Sequence, residues 1–371
     1  MKLSSLLFAL FTLLSGVSTV YAQDPGQWYQ AEIAVPDQSD EQRQEAVAEA
    51  LNEVLVKVSG RGDIAGDAAL TGVLGNPTRY VQTFSYRTNE DSANAQELPL
   101  ILWVKFDPRG VEQLLKSAGI PVWGGVRPNL LIWLAVEQGG RRQLVGDGDS
   151  GLAHENMVRQ AEKRALPIRF PLLDLEDKRQ VDVADVWGDF HEAVLAASQR
   201  YGVRAVLIGK LYQLADGSWR ARWSLSIDGE RMHWEDQAKS ATEVLAAGVD
   251  GSADRLASRY VTSYTRGGGE ALFVVHAVDK LADYHRVIDY LLALHGITAV
   301  TPVAVNADEV RLLVVSDGAL DQLRKTIGLG SVLRPEEPPL AVPGPAPDGA
   351  GDMPLEMPVA TVRQMAFRLL P

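Results

Sequence analysis

Apolar and polar positions along this chain fall into blocks whose period switches between two and about 3.6 residues, the signatures of strand and helix. Residues 28–35 alternate as a strand does. Behind them, Ser39-Asp40-Glu41-Gln42 has the form of a capping box, in which the Ser39 hydroxyl and the Gln42 side chain answer each other's free amides. Val47, Leu51, Val54, Leu55 and Val58 then recur at helical spacing, and Gly60 and Gly62 end the run. Residues 79–87 and 98–106 predict two more strands, joined by a polar loop at 89–96. A short helix over 108–117 follows Asp107. Residues 23–125 thus form an amino-terminal α/β domain.

A second α/β domain covers residues 126–265. Its apolar run at 130–136 has the length of a strand buried on both faces. A helix at 151–165 and a short strand at 168–173 lead to an acidic turn at Asp174. One helix then carries Val186, Phe190, Val194, Ala197 and Tyr201 on one face and stops at Gly202. Residues 204–210 give another buried strand. Trp219, Ala221, Trp223, Leu225 and Ile227 alternate with Arg220, Arg222, Ser224 and Ser226, as a half-buried antiparallel strand requires. A helix at 242–262 closes the domain, with a weak point at Gly248 and Gly251.

Past the joint Gly267-Gly268-Gly269, residues 270–334 read as β-α-β-β-α-β, the order of a ferredoxin-like sandwich. Its first helix, 281–294, directs Leu281, Tyr284, Ile288, Leu291 and Leu292 inward. Strands at 297–305 and 310–315 pair across the turn 306–309. Asp317 caps a last helix bearing Leu320, Leu323 and Ile327, and residues 331–333 return as a strand. Residues 335–371 hold nine of the 19 prolines and read as a disordered tail, because such a segment buries too little to offset its ordering entropy. The tail ends in a short helix whose Val362, Met365, Ala366 and Leu369 share a face, a tethered surface that docks either on the chain itself or on a partner.

The first 22 residues have the layout of a cleavable export signal: Lys2, a short apolar core at 6–14, and a Val20-Tyr21-Ala22 end. The core is too short to anchor in a bilayer, and no later stretch reads as a transmembrane segment. Cysteine is absent, which removes disulfides, thiolate metal sites, thiol catalysis and a lipoprotein anchor; Gln23 stands where that anchor would be. A net charge of −12 argues against general binding of nucleic acid or anionic lipid. Export without cysteine points to the periplasm of a Gram-negative bacterium.

Motifs that carry chemistry are incomplete. His154-Glu155 and His191-Glu192 open a zincin pattern, but the positions one turn on hold Val158 and Leu195. Residues 146–151 alternate glycine with carboxylate as a calcium loop does, yet Leu152 stands where the loop needs its glycine and Val158 where it needs its bidentate glutamate. Ser150 misses the nucleophile elbow for want of a second glycine. The sequence therefore implies no metal and no cofactor. Its least implausible polar site is the carboxylate cluster Asp174, Glu176 and Asp177 with Arg127, Arg164 and Arg169, against the plainer reading of a solvated turn. All eight tryptophans precede residue 235, and packing accounts for most of them; Trp123 and Trp187, each followed by glycine, are the two expected to be partly exposed. Trp123, Arg127, Asp174, Asp177 and Trp187 are accordingly the candidate ligand or partner contacts, with Val362, Met365 and Leu369 in the tail.

Four strings carry a family likeness. They are Val54-Leu55-Val56-Lys57-Val58-Ser59-Gly60-Arg61, Leu102-Trp103-Val104-Lys105-Phe106-Asp107, Pro121-Val122-Trp123-Gly124 with Arg127-Pro128, and Pro171-Leu172-Leu173-Asp174-Leu175-Glu176-Asp177. Together they resemble an uncharacterised exported family of Gammaproteobacteria, domain of unknown function 2066, over residues 23–335. The resemblance implies a periplasmic protein and brings no activity with it. The second domain also resembles, at the level of fold, α/β domains of envelope assembly factors of the TolB amino-terminal and curli-secretion types. Two functions are in play: a non-enzymatic envelope interaction or assembly factor with other envelope proteins as partners, or an envelope hydrolase or small-ligand-binding protein using a cleft between the first two domains.

Overall fold

The computed structural model describes residues 25–70, 72, 75–90, 98–124, 126–261, 269–306, 308–337 and 363–371. The expected leader (1–22), the first two glycines of the joint, and tail residues 338–362, Val362 included, lie outside the described residues. The described chain is mixed α/β, built on three sheets.

In the first unit a 3-10 turn, Pro25–Tyr29, leads into β1 (Gln30–Val35) and α1 (Asp40–Ser59). Half of the capping box forms: Ser39 Oγ accepts from the Gln42 amide at 3.4 Å, while the Ser39 amide donates to Asp37 Oδ1 at 2.8 Å. β2 (Val81–Thr88), β3 (Leu100–Phe106) and α2 (Pro108–Ser117) follow, and the antiparallel sheet has the order β1-β3-β2. Ile33, Val35, Leu102, Val104 and Phe106 pack with the predicted stripe Val47, Leu51, Val54, Leu55 and Val58. Strand alternation sends Glu32, Trp103 and Arg87 to the opposite face.

The second unit runs β4 (Leu130–Gln138), β5 (Arg141–Val145), α3 (Leu152–Lys163), β6 (Ile168–Arg169), α4 (Asp177–Gln180), α5 (Val183–Gly188), α6 (His191–Ser198), β7 (Ala205–Gln213), β8 (Trp219–Ile227), β9 (Glu230–Ala238) and α7 (Ala241–Tyr260). Its sheet has the order β5-β4-β7-β8-β9, with β6 also beside β4. Residues 130–136 are all buried, as their unbroken apolar run requires, between α3 and α7 on one face and α5 and α6 on the other. The single helix expected across Val186 to Tyr201 is instead two, because Asp189 adopts a left-handed conformation (φ 58°) and bonds its carboxylate to Arg231. That break leaves Phe190 59% exposed. Gly248 is no weak point. A Cβ there would lie 2.3 Å from the Trp223 ring, and one at Gly209 would lie equally close, so the two glycines make room for that indole between α7 and β7.

The third unit comprises β10 (Glu270–His276), α8 (Leu281–Ala293), β11 (Ile297–Val305), β12 (Glu309–Ser316), α9 (Leu320–Ile327), β13 (Leu333–Glu336) and β14 (Arg363–Leu369). Its sheet has the order β11-β12-β10-β14-β13. The tail's end is therefore a strand and not the expected helix. β14 lies parallel to β10 and antiparallel to β13, with Met365, Ala366, Phe367 and Leu369 buried. On α8 the buried positions are Val287 and Leu291, whereas Leu281 and Leu292 point outward. Asp317 does not cap α9, whose N-cap is Ala319; it bridges to Lys116 of the first unit at 2.9 Å.

Candidate functional site

Arg127 sits where the first two units meet. Its Nη1 donates to the carbonyls of Arg164 (3.1 Å) and Ala165 (2.9 Å), and its Nη2 to those of Lys57 (2.6 Å) and Trp123 (3.1 Å). Lys57 lies in the last turn of α1, and Arg164 and Ala165 follow the end of α3. One cation thus satisfies carbonyls that two helices leave without intrahelical partners, at the ends that favour positive charge. The guanidinium carbon lies 4.3 Å from the ring centroids of both Trp28 and Trp123. Burial lowers the Arg127 pKa to about 9, which still leaves the group charged at neutral pH.

Arg164, itself buried, repeats the device: Nη1 bonds Asp250 Oδ1 at 2.9 Å, and Nη2 bonds the Gly60 carbonyl at 2.8 Å and Asp254. Trp123 completes the joint. It is 1% exposed, not partly exposed as expected, because Gly60 brings α1 against its ring; a Cβ at Gly60 would sit 2.6 Å from it. Trp123 and Arg127 are therefore brought together, but inside the joint.

Asp174 and Asp177 are held elsewhere, on the turn that opens α4. Arg200 clamps Asp174 through both oxygens, at 2.8 and 2.9 Å, and reaches Asp177 at 3.0 Å. The Arg200 guanidinium holds the Asp174 carboxyl well below the usual carboxylate range. Asp177 is 1% exposed and accepts from the Tyr201 hydroxyl at 2.5 Å and the Leu173 amide at 2.9 Å. Burial, then this bond, pushes the Tyr201 pKa up to about 12. Every one of these carboxylate contacts ties the turn to the chain. Arg200, which sequence reasoning did not single out, is its centre; nothing in the spacing of the two segments marks it as the partner.

Trp187 is half-buried, as expected, beneath Arg142, whose guanidinium carbon lies 4.0 Å from the ring centroid. Lys210 Nζ donates to the Trp187 carbonyl at 2.9 Å. Lys210 also lines a cavity of about 350 Å³ with Asp189, Arg222, Ser224, His233 and Glu235. Arg222 pairs with Glu235 at 3.2 Å and Asp189 with Arg231, while the Lys210 ammonium is engaged by the Trp187 carbonyl. Nearby, Ser226 Oγ lies 3.1 Å from His191 Nε2, and burial lowers the His191 pKa, so the imidazole is neutral at pH 7. Ser226 is only 5% exposed, which closes it to a substrate carbonyl. Among the described residues no group of three or more His, Asp or Glu side chains is placed to hold a metal ion.

A larger cleft, about 640 Å³, lies between the first two units on the helix-free face of the first sheet. Trp103, central on β3 and half-buried, is flanked in register by Glu32 of β1, which pairs with Arg87 of β2 at 2.5 Å. Arg159, Glu162 and Lys163 of α3 form the opposite wall, and Lys57 reaches in from α1. None of the five predicted contact residues of the first two domains lines this cleft. Trp103 lies inside the unbroken apolar run 100–104, so no alternation of apolar and polar positions set its face apart in the sequence.

Residues 22–124 match a family model described as "Domain of unknown function (DUF8605)", so an uncharacterised family is supported for the first unit. No curated protein matches the chain. Among solved structures, one described as "Crystal structure of uncharacterized protein" is 11% identical, covers 36% of this chain and 90% of its own, and gives a TM-score of 0.16.

Proposed function

We propose that this chain is a non-enzymatic protein of the cell envelope that acts by binding other proteins, and that the open face of the first sheet is its contact surface. The observation that carries this reading is the state of β2. It is an edge strand of eight residues without proline, exposed along most of its length, beside a cleft floored by Trp103. Unpaired strand edges offer main-chain donors and acceptors to an incoming extended segment, and an adjacent aromatic supplies side-chain contact. The polar clusters elsewhere engage the chain's own groups, which favours binding over catalysis. In this reading residues 1–22 are an export leader, the mature chain is periplasmic in a Gram-negative bacterium, and the family is domain of unknown function 2066. The third unit is a ferredoxin-like sandwich that has taken in one additional strand. The 640 Å³ cleft also supports a second reading, a small ligand seated on Trp103.

A photo-crosslinking residue placed at Ser85 on β2 tests the proposal in the producing cell; Ser85 is exposed and pairs in register with Trp103 on the open face. The expected result is a discrete adduct with another envelope protein, absent when the same probe replaces Val303, which is 60% exposed on the third unit. Self-adducts alone, under several growth conditions, would sink the binding reading.

A further inference from the structure

The last strand in the chain is not the last in its sheet. β14 lies between β10 and β13, pairing Arg363–Arg368 with Ala271–His276 on one side and Ala366–Leu369 with Leu333–Glu336 on the other. Take β14 out, and β11-β12-β10-β13 is already the layout of a β-α-β-β-α-β sheet, with β13 running opposite to β10. The strand is an insertion into a sheet whose order is coherent without it.

The connection to β14 is the second observation. Glu336 pairs with Ala366, so β13 and β14 are antiparallel neighbours of the kind that a hairpin of about two to five residues joins. The chain instead places residues 337–362 between them, with seven prolines in that stretch. A tether of this length spans roughly 80 Å when extended. Lengthening the connection from a hairpin also lowers the advantage of docking in the same molecule by roughly an order of magnitude. A connection of that length reaches the slot in its own molecule or the same slot in a neighbour.

We propose that β14 is an exchangeable strand and that the slot between β10 and β13 accepts the same strand from a second copy of this chain. The sequence that fits the slot is this chain's own: Met365, Phe367 and Leu369 fill the core, with the Phe367 and Phe273 rings 4.8 Å apart. Arg368 bonds Glu336, and Arg286 donates to the Leu370 carbonyl at 2.9 Å. A second copy reproduces all of these contacts, and mutual exchange closes a two-fold dimer.

The absence of cysteine gives a direct test in the full-length protein. Leu272 and Gln364 are partners in the β10–β14 register. Copies carrying Leu272→Cys are mixed with copies carrying Gln364→Cys and oxidised mildly across a concentration series up to about 1 mM, the range of effective concentration for a tethered segment. Disulfide-linked heterodimers are expected to rise with concentration and to exceed a Phe84→Cys plus Gln364→Cys mixture by about tenfold, as templating in a slot demands over random collision. The double variant, crosslinked within one chain, shows that both substitutions leave the pairing intact. If it alone crosslinks, while the mixed copies stay at the level of the collision control at every concentration, the exchange proposal is overturned.

Discussion

Arg127 shows why residue type alone does not reveal role. A buried guanidinium that donates to four carbonyls makes charge-assisted bonds, and its planar fork reaches two helix ends at once. Lysine keeps the charge but can satisfy only one cluster of acceptors. Arg127→Lys is therefore expected to lower stability by about 2–4 kcal/mol, the scale of one or two lost charged hydrogen bonds in a buried setting. The denaturant midpoint measures it, and a shift under about 0.5 kcal/mol, typical of surface changes, would refute the joint. The sequence placed Trp123 and Arg127 among the important residues, but as contacts for a ligand. Their partners are main-chain carbonyls and a glycine, Gly60, features that leave no trace in side-chain spacing. Asp174 and Asp177 were visible as a cluster, while Arg200, which organises them, lies more than twenty residues away and became a partner only through folding. Trp223 is the converse case, for its alternation with Arg222 and Ser224 already marked an inward-facing indole.

At the scale of elements, segments with one period and a cap were legible, and a segment that fits two periods was not. α1 and α2 begin and end close to where their caps and glycines place them. The stretch from Met365 to Leu369 satisfies two periods at once: positions 362, 365, 366 and 369 share a helical face, while 365, 367 and 369 share a strand face. Local pattern cannot choose between them. Pairing on both sides, to β10 and β13, makes the choice and buries Phe367, which the helical reading left off the stripe. Phe367→Ala is expected to cost about 3–5 kcal/mol, as removal of a buried phenyl ring does. The loss should fall on the third unit, seen as faster amide exchange in β10 and β13 with β4 and β7 unchanged. Uniform acceleration across all three sheets would mean that β14 does not stabilise its own sheet selectively. α5 and α6 teach a related lesson: Val186, Val194 and Ala197 do share a buried cluster, so the periodicity was real, yet the left-handed turn at Asp189 divides the helix that it implied.

The molecule as a whole is held by contacts that cross between units, and one of them carries a buried imidazole. His295, which follows α8, packs so tightly on Gly124 of the first unit that a Cβ there would lie 2.8 Å from its own. Burial lowers the His295 pKa below the ordinary value; the carboxylates of Glu112 and Asp317 oppose that shift, and Lys116 adds to it. In the unfolded chain the imidazole protonates below about pH 6.5, whereas in the folded chain it resists until a lower pH. The unfolded state therefore binds more protons across that window, and stability rises with pH there. His295 should carry little pH dependence above about 7.5, and stability should fall as the pH drops through about 6.5 toward the folded pKa, with the loss levelling off below it. The carboxylates of the chain titrate in the same acid range, so the variant His295→Asn supplies the reference. Urea midpoints taken from pH 7.5 to 5 should decline more steeply for the native chain than for His295→Asn, since only the former takes up this proton on unfolding. Parallel profiles would show that His295 is already free to protonate in the folded protein, and that the joint between the first and third units does not close around a neutral imidazole.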